Sequence, residues 1–241
     1  MILISQFVYL QEVAIVTKSN GTVKYKKNST TLFKNQVKSG LELFNNDLLV
    51  TGGDGFVMFA YLDDGSLIKI HKDSEVYVNG SLKNNVINKK IIIDDGFLKF
   101  DIKKQKQNEF KVVTPTSVAS VKGTVFYIDS NEGSDVFYGL EGIVEVLNIE
   151  SNETSNLSKS KKITSTEDGS IIIAEITQED IIYIQQIQQE SGIEIEEIEE
   201  YDIDDSGDLY ESETDTTQEV IISLTSPSGE VKKIIIKFNQ Q

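Results

Sequence analysis

The run Val113-Thr-Pro-Thr-Ser-Val-Ala-Ser-Val-Lys-Gly-Thr-Val-Phe-Tyr-Ile128 reads as three short β segments separated by two breaks. Pro115 ends the first, because proline has no N–H to give to a central ladder. Val118 and Val121 then approach a Lys122-Gly123-Thr124 pivot, and Val125 and Phe126 follow it. Glycine inside a strand pattern marks a bend or a close backbone approach. Gly123 is therefore read as a structural pivot, with the Thr124 hydroxyl expected to bond to nearby backbone. Gly123→Val is expected to be among the most damaging single changes, since a β-branched residue resists a positive φ.

The same rhythm extends in both directions. Ala14-Ile-Val16 leads to Asn20-Gly21, a strong hairpin-turn signal. Phe56-Val-Met-Phe-Ala-Tyr-Leu62 is apolar at every position, which fits a strand covered on both faces. Asp63-Asp64-Gly65-Ser66 and Asn79-Gly80-Ser81 are further turns. Strands at this spacing, with no helix between them, argue for an all-β sandwich, roll or solenoid. Isoleucine and valine dominate the apolar residues, and β-branched side chains suit a pleated surface.

Three more pieces stand in order around the pivot: Leu62-Asp-Asp-Gly-Ser-Leu-Ile-Lys-Ile70, Asp95-Gly-Phe-Leu-Lys-Phe100 and Leu140-Glu-Gly-Ile-Val-Glu-Val146. Together with Val113–Ile128 they resemble the FecR domain, the periplasmic module named after the ferric-citrate regulator. The resemblance implies a twisted, solenoid-like β-roll, which periodicity alone does not select. It also implies a non-catalytic interaction or sensing role in the cell envelope, periplasmic or extracellular, with an envelope or surface protein as partner. The family commonly has arginine where Lys122 stands. Lysine keeps the charge but loses the planar donor fork.

The organisation expected from the sequence is a FecR-like β domain over 13–176, a short helix in 177–192, an acidic linker over 193–218 and a C-terminal β-hairpin over 219–239. Ser151–Lys162 is rich in Ser, Asn and Lys and reads as an exposed loop. Thr177-Gln-Glu-Asp180 has capping-box spacing, and Ile181, Ile184 and Ile187 follow, so a helix is expected over about Gln178–Glu190. Val220–Leu224 and Val231–Phe238 flank Ser226-Pro-Ser-Gly229, which suits a type I turn.

Composition excludes several functions. The formal net charge is −16 and the chain has no arginine and no cysteine. A phosphate backbone is repelled by that field, so no nucleic-acid partner is expected. Disulfides and thiolate metal sites are impossible. No apolar run is long enough to span a bilayer, so the reading is a stand-alone module without transmembrane or cytoplasmic parts. Met1–Leu10 is the only terminal apolar stretch; it is either a first strand or the remnant of a signal peptide's apolar region.

No residue is assigned a catalytic, cofactor-binding or metal-binding role. His71, the one histidine, follows the Ile68–Ile70 strand in an expected turn and is read as exposed and non-catalytic. Gly52-Gly-Asp-Gly55 lacks the lysine and the helix of a phosphate-binding loop. Nothing places two carboxylates in one pocket, so the chain is not read as an enzyme. Asp202-Ile-Asp-Asp-Ser-Gly-Asp-Leu-Tyr-Glu-Ser-Glu213 matches a calcium loop, with oxygen ligands at positions 1, 3 and 5, glycine at 6 and glutamate at 12. Its flanks are poor helix formers. It sustains the alternative reading of a calcium-tuned extracellular structural or adhesive surface protein.

Overall fold

In the computed structural model, residues 11–105 and 109–191 are described in full, as is the backbone of residues 217–225 and 231–239. The chain divides into two compact units, Met1–Glu194 and Ile195–Gln241. The first holds β1 (Glu12–Asn20), β2 (Val23–Lys26), β3 (Glu42–Phe44), β4 (Asp47–Thr51), β5 (Phe56–Tyr61), β6 (Leu67–Ile70), β7 (Glu75–Lys83) and β8 (Val86–Ile102). It continues with β9 (Phe110–Val113), β10 (Ser117–Val121), β11 (Thr124–Asn131), β12 (Ser134–Glu141) and β13 (Val144–Asn148). Then come β14 (Thr154–Leu157), β15 (Lys161–Thr166), β16 (Ile171–Glu175) and α1 (Gln178–Glu190). In the second unit β17 (Thr217–Thr225) and β18 (Val231–Asn239) pair antiparallel as a hairpin.

The strands of the first unit lie in two layers that share β8. One layer runs β3–β1–β5–β6–β8–β11–β12–β15–β16, and the other β2–β4–β7–β8–β9–β10–β13–β14. All pairs are antiparallel except β8 with β9. Side chains such as Phe59, Ile68, Phe100 and Phe126 from the first layer and Leu49, Val78, Ile91 and Val112 from the second form one buried core. Among the described residues the fold is all-β with one helix, as the sequence indicates.

β8 shows how one strand serves both layers. Its buried positions are odd-numbered from Ile87 to Ile93 and even-numbered from Leu98 to Ile102. The parity changes at a bulge, where Glu75 pairs with Asp95 but Val76 with Ile93. One extra residue turns the strand and swaps its inward face. Gly96 completes the bend at φ 128°, where a Cβ would stand 2.1 Å from Ser74 Oγ and 2.7 Å from Ser74 Cα. Only glycine accepts both that angle and that approach.

The pairing also repeats. β1–β5–β6–β8 in the first layer has the same order and direction as β8–β11–β12–β15. In the second layer β2–β4–β7–β8 matches β9–β10–β13–β14. The unit is thus two coils of a short solenoid with part of a third. The expected exposed loop over Ser151–Lys162 is corrected here: it contains β14 and the start of β15, because the end of the second coil recruits those polar residues as strands against β13 and β12.

α1 begins as expected. Thr177 Oγ1 accepts from Asp180 N–H at 3.2 Å, and Asp180 Oδ2 accepts from Thr177 N–H at 2.7 Å. Such reciprocal capping satisfies two orphan donors of the first turn. The helix buries Ile184, Ile187 and Gln188.

Candidate functional site

The pivot that dominates the sequence forms one wall of an open groove of about 870 Å³. Gly123 has φ 146°, so the expected positive-φ bend is present. Asp101, Lys103 and Lys104 come from the end of β8, Lys122 from the pivot, and Glu141 and Glu145 from β12 and β13. Lys122 pairs with Glu109 at 3.0 Å, and Lys103 with Asp101 at 3.0 Å. The groove is open and of mixed charge. The expected bond from Thr124 to backbone is absent: its hydroxyl is buried without a hydrogen-bond partner.

The buried charges found elsewhere hold loops in place. Asp47 accepts from Tyr25 Oη at 2.6 Å and from the N–H groups of Asn28 and Phe44 at 2.9 Å. Asp135 accepts from Thr114 Oγ1 at 2.5 Å, Ser130 Oγ at 2.6 Å and Thr116 N–H at 3.0 Å, and from Thr116 Oγ1. Carboxylates surrounded by donors are satisfied acceptors, poorly placed to act as bases. In the Asp-Asp-Gly-Ser turn, Lys89 Nζ reaches Asp63 at 2.9 Å and Asp64 at 2.7 Å. Burial pushes the Asp64 carboxyl up, but donation by Lys89, Ser66 N–H and Gln105 outweighs it and holds the group below the usual carboxylate range.

His71 overturns the expectation of exposure. It is 1% exposed, edge-on to Phe56 and Phe97, with Nδ1 3.1 Å from Ser191 Oγ. Ser191 caps α1, which lies on the outer face of the first layer. The contacts there are largely polar: Tyr183 to Asp129 at 2.8 Å, Gln188 to Tyr127 at 2.7 Å, Lys162 to Asp180 at 2.7 Å and Lys72 to Glu190 at 2.5 Å. No local signal at His71 could reveal this, because its cover arrives 120 residues later in the chain.

Among the described residues no group of three His, Cys, Asp or Glu side chains could hold a metal ion. The calcium-loop match at Asp202–Glu213, the Met1–Leu10 stretch and the Ser226–Gly229 turn lie outside the described residues. No helix among the described residues is long and apolar enough to cross a membrane.

The family model described as FecR protein matches residues 47–145, from β4 into β13. This stretch is a FecR domain. It contains the complete second coil apart from β14 and β15, and the Asp-Asp-Gly-Ser turn, the β8 bend and the Gly123 pivot all fall inside it. Two crystal structures of proposed anti-sigma factors from Parabacteroides distasonis resemble the chain that carries this FecR domain. The one at 1.65 Å resolution shares 14% identity at TM-score 0.46, over 57% of this chain and 64% of that one. The one at 2.50 Å shares 17% identity at TM-score 0.37, over 56% of this chain and 59% of that one. The chain thus spans less than two thirds of either protein's length. No curated protein matches.

Proposed function

We propose that this chain is a non-catalytic sensing or protein-interaction module of the bacterial cell envelope, acting in signal transduction from the periplasmic or extracellular side. The FecR domain at residues 47–145 carries this reading. The chemistry of the site supports it. The buried carboxylates Asp47 and Asp135 are held by hydroxyl and backbone donors. A net charge of −16 disfavours nucleic acid as the partner and leaves another envelope or surface protein.

The test is cell fractionation followed by in vivo cross-linking of a tagged full chain. The expected outcome is recovery outside the cytoplasm with reproducible cross-links to one envelope protein. Recovery in the cytoplasm, or a purified chain that turns over a substrate, would overturn it.

A further inference from the structure

The first layer ends in two edge strands, the three-residue β3 and the five-residue β16. At the first end, β3 lies against β1, and Lys34 bridges Tyr25 of β2. At the other end of the same layer, β16 pairs only with β15 among the described residues. Solenoid ends need a cover, because each coil buries its apolar surface against the next.

The backbone of β16 is presented for pairing. Ile176 N–H donates to Ser160 O at 2.9 Å, and Thr166 N–H donates to Ser170 O at 3.1 Å. Antiparallel bonding alternates along a strand. Ile172 and Ala174 therefore spend their N–H and C=O groups on β15, and Ile171, Ile173 and Glu175 direct theirs outward. Ile172 and Ile173 are 59% and 53% exposed. Ile173 stands opposite Ile163, which is fully buried, so its side chain continues the core to an uncovered rim. Natural edges are usually blunted by charge, proline or a bulge. Ser170-Ile-Ile-Ile-Ala-Glu175 has none of these before Glu175.

The charges around this edge indicate what fits it. Glu167 and Asp168 flank one end, and Glu175 and Glu179 the other. Lys161 is already paired with Glu175 and Lys162 with Asp180. Among the described residues no lysine pairs with Glu167, Asp168 or Glu179. A second copy of the chain would bring the same acidic flanks together and is disfavoured by mutual repulsion.

We propose that β16 is a docking edge that takes up an extended, apolar, lysine- or arginine-bearing strand of a partner protein. The added strand bonds to the outward groups of Ile171, Ile173 and Glu175, covers Ile172 and Ile173, and places its cations on the acidic flanks. This is strand addition, in which main-chain bonds give affinity and alternate side chains give selectivity. The inference rests on the interaction reading above and specifies the partner's chemistry.

The test titrates the full chain with the peptide Lys-Val-Thr-Ile-Lys-Val-Lys and, as a control of equal charge, the same peptide N-methylated along its backbone. Amide exchange is followed by NMR. The expected result is binding that weakens at least tenfold on N-methylation, with slowed exchange at Ile171, Ile173 and Glu175. Ile173→Pro removes an outward N–H without touching the β15 ladder and should weaken binding at least tenfold with little change in Tm. Should proline disturb the fold, Ile173→Lys keeps the backbone, sets like charges opposite each other and should weaken binding likewise. Equal binding by the methylated peptide, no effect of either variant, protection of these amides before peptide is added, or self-association through β16 in sedimentation would each overturn the proposal. Those outcomes leave the interaction reading standing, because cross-linking tests it independently of this edge.

Discussion

The Tyr183 hydroxyl donates to Asp129 Oδ2 at 2.8 Å, joining α1 to β11 across the outer face of the first layer. Asn131 Nδ2 donates to Oδ1 of the same carboxylate at 2.6 Å. Burial pushes the Asp129 carboxyl above its usual range, the donors Tyr183 and Asn131 pull it back only in part, and Asp95 and Asp135 add repulsion.

That environment fixes the sign of a pH effect. A raised carboxyl in the folded state binds its proton more tightly than in the unfolded chain. The Asp129 contribution to stability therefore falls as pH rises from about 4 through the raised folded value. Tyr183→Phe removes one of two donors and should cost about 1–3 kcal/mol. Thermal melts should show a larger deficit at pH 7 than at pH 4; equal deficits would count against this account.

Lys89 neutralises two carboxylates at once. Lys89→Met leaves Asp63 and Asp64 partly or fully buried without their cation, and should cost about 3–5 kcal/mol in urea unfolding near neutral pH. Asp64 is held below the usual range in the parent, so its contribution is lost as pH falls through the folded value. The gap between variant and parent should accordingly narrow in acid.

Gly96 should be the less replaceable of the two bends. Both glycines have positive φ, and any side chain there costs about 1–3 kcal/mol in backbone strain. At Gly123 the nearest atom to a new Cβ is Lys104 Cα at 3.0 Å, whereas at Gly96 it is Ser74 Oγ at 2.1 Å. Gly96→Ala should lower Tm more than Gly123→Ala; the reverse order would show that the Ser74 contact can relax.

Asp135 anchors the Pro115 turn to the β11–β12 hairpin. Asp135→Ala strands the Ser130 hydroxyl and Thr116 N–H and leaves the hydroxyls of Thr114 and Thr116 only their longer contacts with Ser117 O and Ser165 O. Bonds to a charged group contribute about 1.5–3 kcal/mol each, so this variant should unfold at clearly lower urea than parent. Asp135→Asn, which keeps one acceptor oxygen, should lie between the two.

What could be read in advance was local. The Asp-Asp-Gly-Ser turn, the Gly123 bend and the Thr177–Asp180 cap each carry their geometry in residues close together. Asn20-Gly21 is a turn but not the expected hairpin: β1 pairs with β3 and β5 and β2 with β4, so the chain crosses from one layer to the other there. The uniformly apolar Phe56–Tyr61 run is a strand buried at every position, as its composition indicates. What could not be read depends on distant partners. His71 looks like a turn residue until α1 covers it. Thr154–Leu157 has little apolar content, and its pairing with β13 is supplied by the solenoid. The two coils share pairing order rather than obvious sequence, so the repeat emerges only from the register. Ile171–Ala174 reads as an ordinary last strand until the register shows that, among the described residues, it pairs with β15 alone.

β8 is the one strand common to both layers, and this has a mechanical meaning. A load applied to the face that carries α1 passes along continuous backbone, through Phe97 and the Asp94–Gly96 bulge, into the ladder with β7. Slippage of one layer over the other would require that bulge to open and Gly96 to leave its seat on Ser74. The strand works as a tie-rod, stiffening the coils against shear and making them yield as one body.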